Sequence, residues 1–389
     1  MSKLRYLTSG ESHGQALTVI LEGMPSGVSV SSESINRQLA RRQQGYGRGG
    51  RMVIEKDQVQ ILSGIRFGKT LGSPITLQVQ NRDWPVWTEE MSVEGSASKA
   101  KRTVTRPRPG HADLSGGIKY DHGDLRNVLE RASARETTMR VACGAVARQF
   151  LEQVGARLIG YITSIGDVSV GEKRPSFETL VEVTEKSPVR TFDAKAAKAM
   201  MARIDEAKKK GDSLGGIFEV VVQGLPVGLG NYTHWDRKLD GKLAQAIMSI
   251  QAIKGVEVGL GFEAARRFGS QVHDGIYFDA KQKRYYRKTN RAGGLEGSMT
   301  NGEWLVVRGA MKPISTLYTP LDSVDIKTRK AFKASIERSD TCAAPAAAVI
   351  AENVVALTVA DAFLEKFGGD SLGEIQRNYQ GYLKQVREY

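Results

Sequence analysis

Two of the five histidines stand where an imidazole could do acid–base work. His13 lies in Gly10-Glu11-Ser12-His13-Gly14, between two short apolar runs. Imidazole is the side chain whose ordinary titration range spans neutral pH, so a histidine at a strand end beside a serine is well placed to pass a proton to a ligand. The same pattern also suits a turn histidine bonded to its neighbours. His111 lies in Arg106-Pro107-Arg108-Pro109-Gly110-His111-Ala112-Asp113. The prolines stiffen this segment, the arginines alternate with them, and Asp113 could orient the ring; a rigid surface turn is the alternative. His122, His234 and His273 lack such company and read as structural or surface residues. No His/Cys/Asp cluster has metal-ligand spacing. Cys143 and Cys342 sit in Ala-rich, helix-like stretches and read as small core residues.

Around these histidines the sequence repeatedly offers anion-binding groups. Arg41-Arg42-Gln43-Gln44-Gly45-Tyr46-Gly47-Arg48-Gly49-Gly50-Arg51 places four arginines about a glycine loop. Guanidinium forks bind carboxylate or phosphate through two parallel bonds, and glycines let the backbone close on a ligand. The loop lacks the Gly-Lys-Ser/Thr ending of a Walker motif. Its G-x-G-x-x-G spacing follows a basic helix rather than a strand, so it is no dinucleotide fingerprint either. An RGG-like RNA-binding patch is the competing reading. Ser133-Ala134-Arg135-Glu136 has the Ser-x-x-Glu pattern of a capping box, and Arg131 and Arg135 flank that helix start; plain capping with surface arginines is the alternative. Lys312-Pro313-Ile314-Ser315-Thr316 and Arg338-Ser339-Asp340 each bring a cation and hydroxyls to a turn or helix start.

The elements that must position these groups alternate between strands and helices. Leu17 to Leu21 and Ile217 to Val222 read as strands, each followed by a Gly-x-Pro-x-Gly turn. Ser31 or Ser32 can cap the next helix, with Ile35 and Leu39 on one face. The two strand–turn segments align at a constant offset. Arg66-Phe67-Gly68 matches Arg267-Phe268-Gly269 at that same offset. Leu129-Glu130-Arg131 and Ile336-Glu337-Arg338 each precede an Ala-rich helix. These echoes predict one domain over 1–389 built from duplicated halves, near 1–200 and 201–389. The polar stretch Glu172 to Asp212 then lies at the surface between them. The layering is α/β or α+β. Ala343 to Phe363, the most apolar stretch, is broken by Pro345, Glu352, Asn353 and Asp361, and reads as a buried helix rather than a membrane span. A net charge of +13 fits nucleic acid, a membrane surface or a polyanionic small molecule. The first ten residues hold no apolar signal core, so the expected location is the cytoplasm, with an organelle open for a mature form.

Taken together, Gly10 through Pro25, Gly45 to Arg51, Arg108 to Asp113, Glu130 to Arg140 and Arg338 through Glu352 resemble the chorismate synthase family. The likeness runs from Tyr6 to about Phe363; Ala132 stands where another small residue, often serine, is common. The resemblance implies an α+β fold, a β-α-β sandwich built from a pseudo-duplicated unit, and a homotetramer without nucleic-acid or membrane partners. It implies a lyase that converts 5-enolpyruvylshikimate 3-phosphate to chorismate and phosphate with reduced FMN, on the shikimate route to aromatic amino acids. His13, beside Ser12, would be the acid at the departing phosphate. His111 would stabilise the reduced flavin, and Asp340 would assist proton removal through the flavin N5. Arg42, Arg48, Arg51, Arg108 and Arg135 would clamp the substrate. Flavin contacts would come from Arg131, Ala132, Ser133, Gln251, Ala252, Gly297, Lys312, Pro313, Ile314, Ser315, Thr316 and Arg338. Arg42 and Arg48 would meet NADP. A bifunctional form that reduces its own flavin with NADPH, and a basic nucleic-acid-binding protein, are the alternatives.

Overall fold

A computed structural model describes residues 3–50, 55–96, 100–171 and 173–389. Its first layer is a four-stranded antiparallel sheet of β1 (Arg5–Ser9), β2 (Ala16–Glu22), β3 (Gln60–Ile61) and β4 (Ile75–Gln80), in the order β1-β2-β4-β3. Period-2 patterning makes it one-sided. Leu17, Val19 and Leu21 of β2 and Ile75, Leu77 and Val79 of β4 are buried, whereas Thr18, Ile20, Thr76 and Gln78 face outward. The second layer is a five-stranded antiparallel sheet of β5 (Arg157–Ile165), β6 (Val168–Ser169), β7 (Gly216–Gln223), β8 (Ile253–Val258) and β9 (Leu305–Met311), in the order β8-β9-β7-β5-β6. Here β5 and β7 are buried on both faces along most of their length, with Glu219 of β7 buried among apolar neighbours and paired with Arg308 and Arg174.

The helices are α1 (Ser32–Gln43), α2 (Asp113–Lys119), α3 (Arg126–Ala132), α4 (Thr137–Gln153), α5 (Phe177–Lys186), α6 (Ala194–Lys209), α7 (Leu239–Met248), α8 (Ala344–Phe367) and α9 (Leu372–Glu388). Ser31 caps α1, and Ile35 and Leu39 turn into the core. Between the sheets, α4 packs on β2 and β4, α8 packs on β5 and β7, and the two helices pack on each other. The result is a β-α-β sandwich of α+β class. Sandwiched between layers, α8 has no polar face to spare and is apolar almost all round. It is long and apolar enough to cross a membrane by length and composition, but its apolar window is buried within the protein. Within the polar stretch 173–212, α5 lays Phe177 and Leu180 on the outer face of the second sheet, against Tyr161 and Val221. Beyond α8 the chain continues into α9.

The two Gly-x-Pro-x-Gly turns share one geometry. Gly23 and Gly27 have φ of 91° and 84°, and Gly224 and Gly228 have 84° and 85°. In the first, the Thr70 hydroxyl donates to the Pro25 carbonyl (2.6 Å) and accepts from Val28 N (2.9 Å). In the second, Thr300 bonds Pro226 (2.6 Å) and Leu229 (2.8 Å) in the same way. The third sequence match does not follow this geometry. Arg66-Phe67-Gly68 forms the hairpin turn leading to Thr70, whereas Arg267-Phe268-Gly269 lies between two short 3-10 turns. The hairpin that leads to Thr300 is instead 295–300, so the spacing between halves changes after the first strand.

The central layer depends on close helix contact at Gly144. A Cβ there would lie 2.5 Å from the Asn353 carbonyl oxygen and 2.6 Å from its Cβ. Alanine normally favours a helix over glycine by about 1 kcal/mol. Here the clash is with a buried backbone, and overpacking of this kind costs ~1–3 kcal/mol or more. Gly144→Ala is therefore expected to lower Tm in a thermal melt; a raised Tm would mean α4 and α8 can separate freely.

Candidate active site

The β1–β2 connection carries His13. Asn81 at the end of β4 pins it by donating to the carbonyls of Gly14 (2.7 Å) and Glu11 (3.2 Å). The last turn of α3 reaches the same connection, with Ser12 N donating to the Glu130 carbonyl (3.0 Å). The Glu130 carboxylate takes His13 Nδ1 (2.9 Å) and the His13 backbone N–H (2.7 Å). The imidazole stacks on Trp87, with ring centroids 3.9 Å apart. Ser133 Oγ meets Ser12 Oγ at 3.1 Å. Burial works against ionisation of the Glu130 carboxyl, but the bonds and charge of His13 outweigh it and hold the group below the usual range.

His111 has a similar arrangement. Its Nδ1 donates to Asp113 Oδ1 at 2.6 Å, and Arg108 spans Asp113 through Nε (2.8 Å) and Nη2 (3.0 Å). Arg108 Nη2 also lies 3.1 and 3.3 Å from the two ring nitrogens. Because Nδ1 donates to Asp113, it cannot also accept, so the guanidinium lies alongside the ring rather than bonded to that nitrogen. Burial opposes the Asp113 charge, yet His111 and Arg108 hold its carboxyl far below the ordinary carboxylate range.

Both histidines line one cavity of about 410 Å³, within the usual span of small-molecule sites. Among the described residues six cations face it: Arg42, Arg48, Arg108, Arg135, Lys312 and Arg338. Most already have protein partners. Arg135 is fully engaged by Asp57 (2.7 Å), Asn81 (3.0 Å), Thr138 (3.3 Å) and Glu55 (3.4 Å). Arg48 pairs with Asp340 (2.9 Å), whose other oxygen takes Gly49 N (2.6 Å). Arg338 reaches Asp83 (2.5 Å). Arg42 bonds Thr137 and the Ala134 carbonyl, both at 3.0 Å. Among the described residues its buried Nη1 has no hydrogen-bond partner, and Asp57 stands 3.6 Å off. Burial, with Arg135 and Arg48 nearby, pushes the Arg42 pKa down to about 9 even against the pull of Asp57. Such a cation gains from an added anion. The buried Gln251 Oε1 also has no partner among the described residues. The start of α8 carries no side-chain cap, and Ala343, Ala346 and Ala347 bring it to the cavity wall. Pro345 in its first turn has no N–H, and Ala347 N bonds the Ala343 carbonyl (3.0 Å), so this helix start offers an anion little.

Ser12, Ala132, Ser133, Ala252, Ile314, Ser315, Thr316 and Asp340 line the cavity too. Arg131, Pro313 and Gly297 do not. Arg131 is exposed and donates to Thr8 and Gly10 carbonyls at 2.8 and 3.0 Å; Gly297 is exposed at a hairpin turn. Arg51 lies outside the described residues. Ser133 caps a short 3-10 turn through Arg135 N, but Glu136 does not return to it. That carboxylate bonds Thr8 (2.7 Å), Arg140 (3.0 Å) and Gln251 (3.3 Å), so Ser-x-x-Glu is not a capping box here. Glu130, Trp87, Asp57, Glu55 and Asp83 went unforeseen. The i,i+4 spacings of Arg126 with Glu130 and of Asp83 with Trp87 are the local signals, and the rest depend on contacts distant in sequence.

Removing Arg135 would take the nearest guanidinium among the described residues from two buried carboxylates, Asp57 and Glu55, a loss of ~3–5 kcal/mol. Removing Arg48 leaves Asp340 with Gly49 N and a hydrated cavity. Arg135→Ala is therefore expected to lower unfolding free energy far more than Arg48→Ala in denaturant titration. Equal losses would contradict this division between structural and ligand-facing arginines.

Residues 4–364 match the family model for chorismate synthase. The chain is 59% identical over 392 residues to a chorismate synthase of Geobacter metallireducens, covering 99% of this chain and all of that one. It is 60% identical to that of Geobacillus sp. (strain WCH70), over 99% of this chain and all of the relative. A solved crystal structure of a chorismate synthase superposes with a TM-score of 0.80 at 45% identity, covering 99% of each chain.

Proposed function

The chain belongs to the chorismate synthase family, and on that premise we propose that it eliminates phosphate from 5-enolpyruvylshikimate 3-phosphate to give chorismate, with reduced FMN, on the shikimate route to aromatic amino acids. The observation that carries this reading is the pairing of two carboxylate-oriented histidines with six cations in one cavity. A substrate with one phosphate and two carboxylates needs such a set. The reaction is a 1,4-elimination: a proton leaves carbon, the C–O bond to phosphate breaks, and a double bond forms with no net redox change. His13 gives its proton to the departing phosphate, beside Ser12. Arg42 and Arg48 neutralise the anion, and Asp340 would assist removal of the proton from carbon at the bound flavin. Arg108 and Arg135 hold the anion's surroundings positive, although their own donors are largely committed to protein.

The cavity fits a flavin phosphate as well as the substrate. Among the described residues the buried Arg42 Nη1 has no hydrogen-bond partner and can meet an anion, while the buried Gln251 Oε1 is an acceptor that suits a flavin N–H or hydroxyl. Ala132, Ser133, Gln251, Ala252, Lys312, Ile314, Ser315, Thr316 and Arg338 would hold FMN, with His111 beside it. Reduced flavin, when bound, supplies electron density toward the breaking bond. Arg131, Pro313 and Gly297, outside the lining, fit a flavin contact made with a neighbouring subunit of a homotetramer. NADPH at Arg42 and Arg48 is the candidate reductant for a bifunctional form.

Anaerobic incubation with chemically reduced FMN and substrate is expected to release phosphate and form chorismate, with no release when flavin stays oxidised. Replacing the chemical reductant by NADPH separates the one- and two-activity forms. No release from folded protein would sink the proposal. His13→Ala is expected to lower kcat by about 10²-fold or more with little change in KM; equal losses in both would remove His13 from the acid role.

A further inference from the structure

Glu130 does not line the cavity, yet it makes the shortest-range contacts to the residue proposed as the acid. Its side chain is 1% exposed and that of His13 is 9% exposed, so neither pairing is diluted by solvent. One carboxylate serves the ring and the backbone of His13 together. Nδ1 lies 2.9 and 3.0 Å from Oε1 and Oε2, and the His13 N–H donates to Oε2 at 2.7 Å. The carboxylate is held in turn by Arg126 one helical turn earlier, at 3.1 Å. Arg126 is itself fixed by the Arg102 carbonyl (2.6 Å) and Glu337 (3.3 Å). Trp87 covers one face of the imidazole and is tied to Asp83 through its indole N–H (3.2 Å). A flip of the ring would keep the stack on Trp87 but would replace Nδ1 by a carbon at the carboxylate and lose both contacts.

We infer that Glu130 is a positioning residue that fixes the tautomer of His13, keeping the proton on Nδ1 and leaving Nε2 as the nitrogen that exchanges a proton with the ligand. This rests on the reading of His13 as the acid. The chemistry follows from the acceptor's nature. An ionised carboxylate only accepts, so the nitrogen it faces must carry hydrogen whether the imidazole is neutral or charged. Nε2 then gains and loses the working proton: as imidazolium it donates, and afterwards it is the basic site that is reprotonated. Burial opposes the charge on Glu130, but the bonds and charge of His13 and Arg126 keep it ionised, as the role requires. A glutamine in its place that keeps its oxygen for the His13 N–H gives up the bond from Arg126 and turns its NH₂ toward Nδ1. That nitrogen then becomes the acceptor, and the proton of the neutral ring moves to Nε2.

The test uses the full chain labelled with ¹⁵N,¹³C-histidine, with solid-state NMR recorded as pH is raised until the imidazoles are neutral. His13 is assigned by its disappearance in His13→Gln. The neutral ring of the wild type is expected to carry its proton on Nδ1, and that of Glu130→Gln on Nε2. A wild-type ring protonated on Nε2, or no change in Glu130→Gln, would overturn the inference. In turnover with reduced FMN, Glu130→Gln is expected to lower kcat by about 10²-fold with KM within about twofold, as for loss of a proton-transfer group. Glu130→Asp keeps an acceptor-only group and is expected to retain the Nδ1 tautomer and more activity than the glutamine variant. It also serves as the test if Glu130→Gln does not fold. Wild-type kcat in Glu130→Gln would likewise overturn the inference. Absence of turnover in the wild type itself would count against the proposed reaction, while the NMR result would still decide the tautomer.

Discussion

Crowding cations around one cavity, six of them among the described residues, is the constraint on which the rest of this structure depends. Like charges in a partly desolvated space repel strongly, and each buried guanidinium needs a fixed counter-charge to be tolerated. The fold supplies these from separate layers. Glu55 and Asp57 precede β3, Asp83 follows β4, Asp113 opens α2, and Asp340 lies just before α8. The sandwich brings these chain segments to one rim, and the central helices give them a rigid base. Compensation stops short of completion: among the described residues the buried Arg42 Nη1 has no hydrogen-bond partner. An anion completes what the protein leaves open.

The same constraint explains how the two histidines differ from ordinary turn residues. Each has its Nδ1 held by a buried carboxylate, and each carboxylate is braced by an arginine from its own local segment: Arg126 with Glu130, and Arg108 with Asp113. The fixed charges orient the rings. Serine hydroxyls, a tryptophan face and the apolar α8 wall shape the space between them.

Much of the scaffold was legible in the sequence because its causes are local. Alternation across 16–22 marks a one-sided strand, Ser31 caps α1, and the paired glycines at 23 and 27 answer a backbone requirement for positive φ. The site was legible only in part. Adjacent residues have opposite fates: Arg41 enters an ion network with Glu185 and Glu352, while Arg42 faces the cavity. Arg131 turns outward and Arg135 inward from one motif. Side-chain direction at a helix end is set by tertiary packing, which no spacing rule contains. The stack of Trp87 on His13 and the pairing of Asp57 with Arg135 were invisible because the partners lie tens of residues apart, and Glu136 was misread because a local cap competed with two distant partners, Thr8 and Gln251, and with Arg140 one turn on, and lost. The break in the constant offset between halves has a similar cause, since hairpins 65–70 and 295–300 answer to the turn they brace rather than to sequence position.

The most direct check on an anion-completed cavity is calorimetric titration of the oxidised-flavin complex with 5-enolpyruvylshikimate 3-phosphate and with its dephosphorylated counterpart, at one fixed salt concentration. Hydrogen bonds to a charged group contribute ~1.5–3 kcal/mol each, so loss of the phosphate is expected to weaken binding by about 10²-fold. Equal affinity for the two compounds would mean that the cations are balanced within the protein and that the cavity does not read the phosphate.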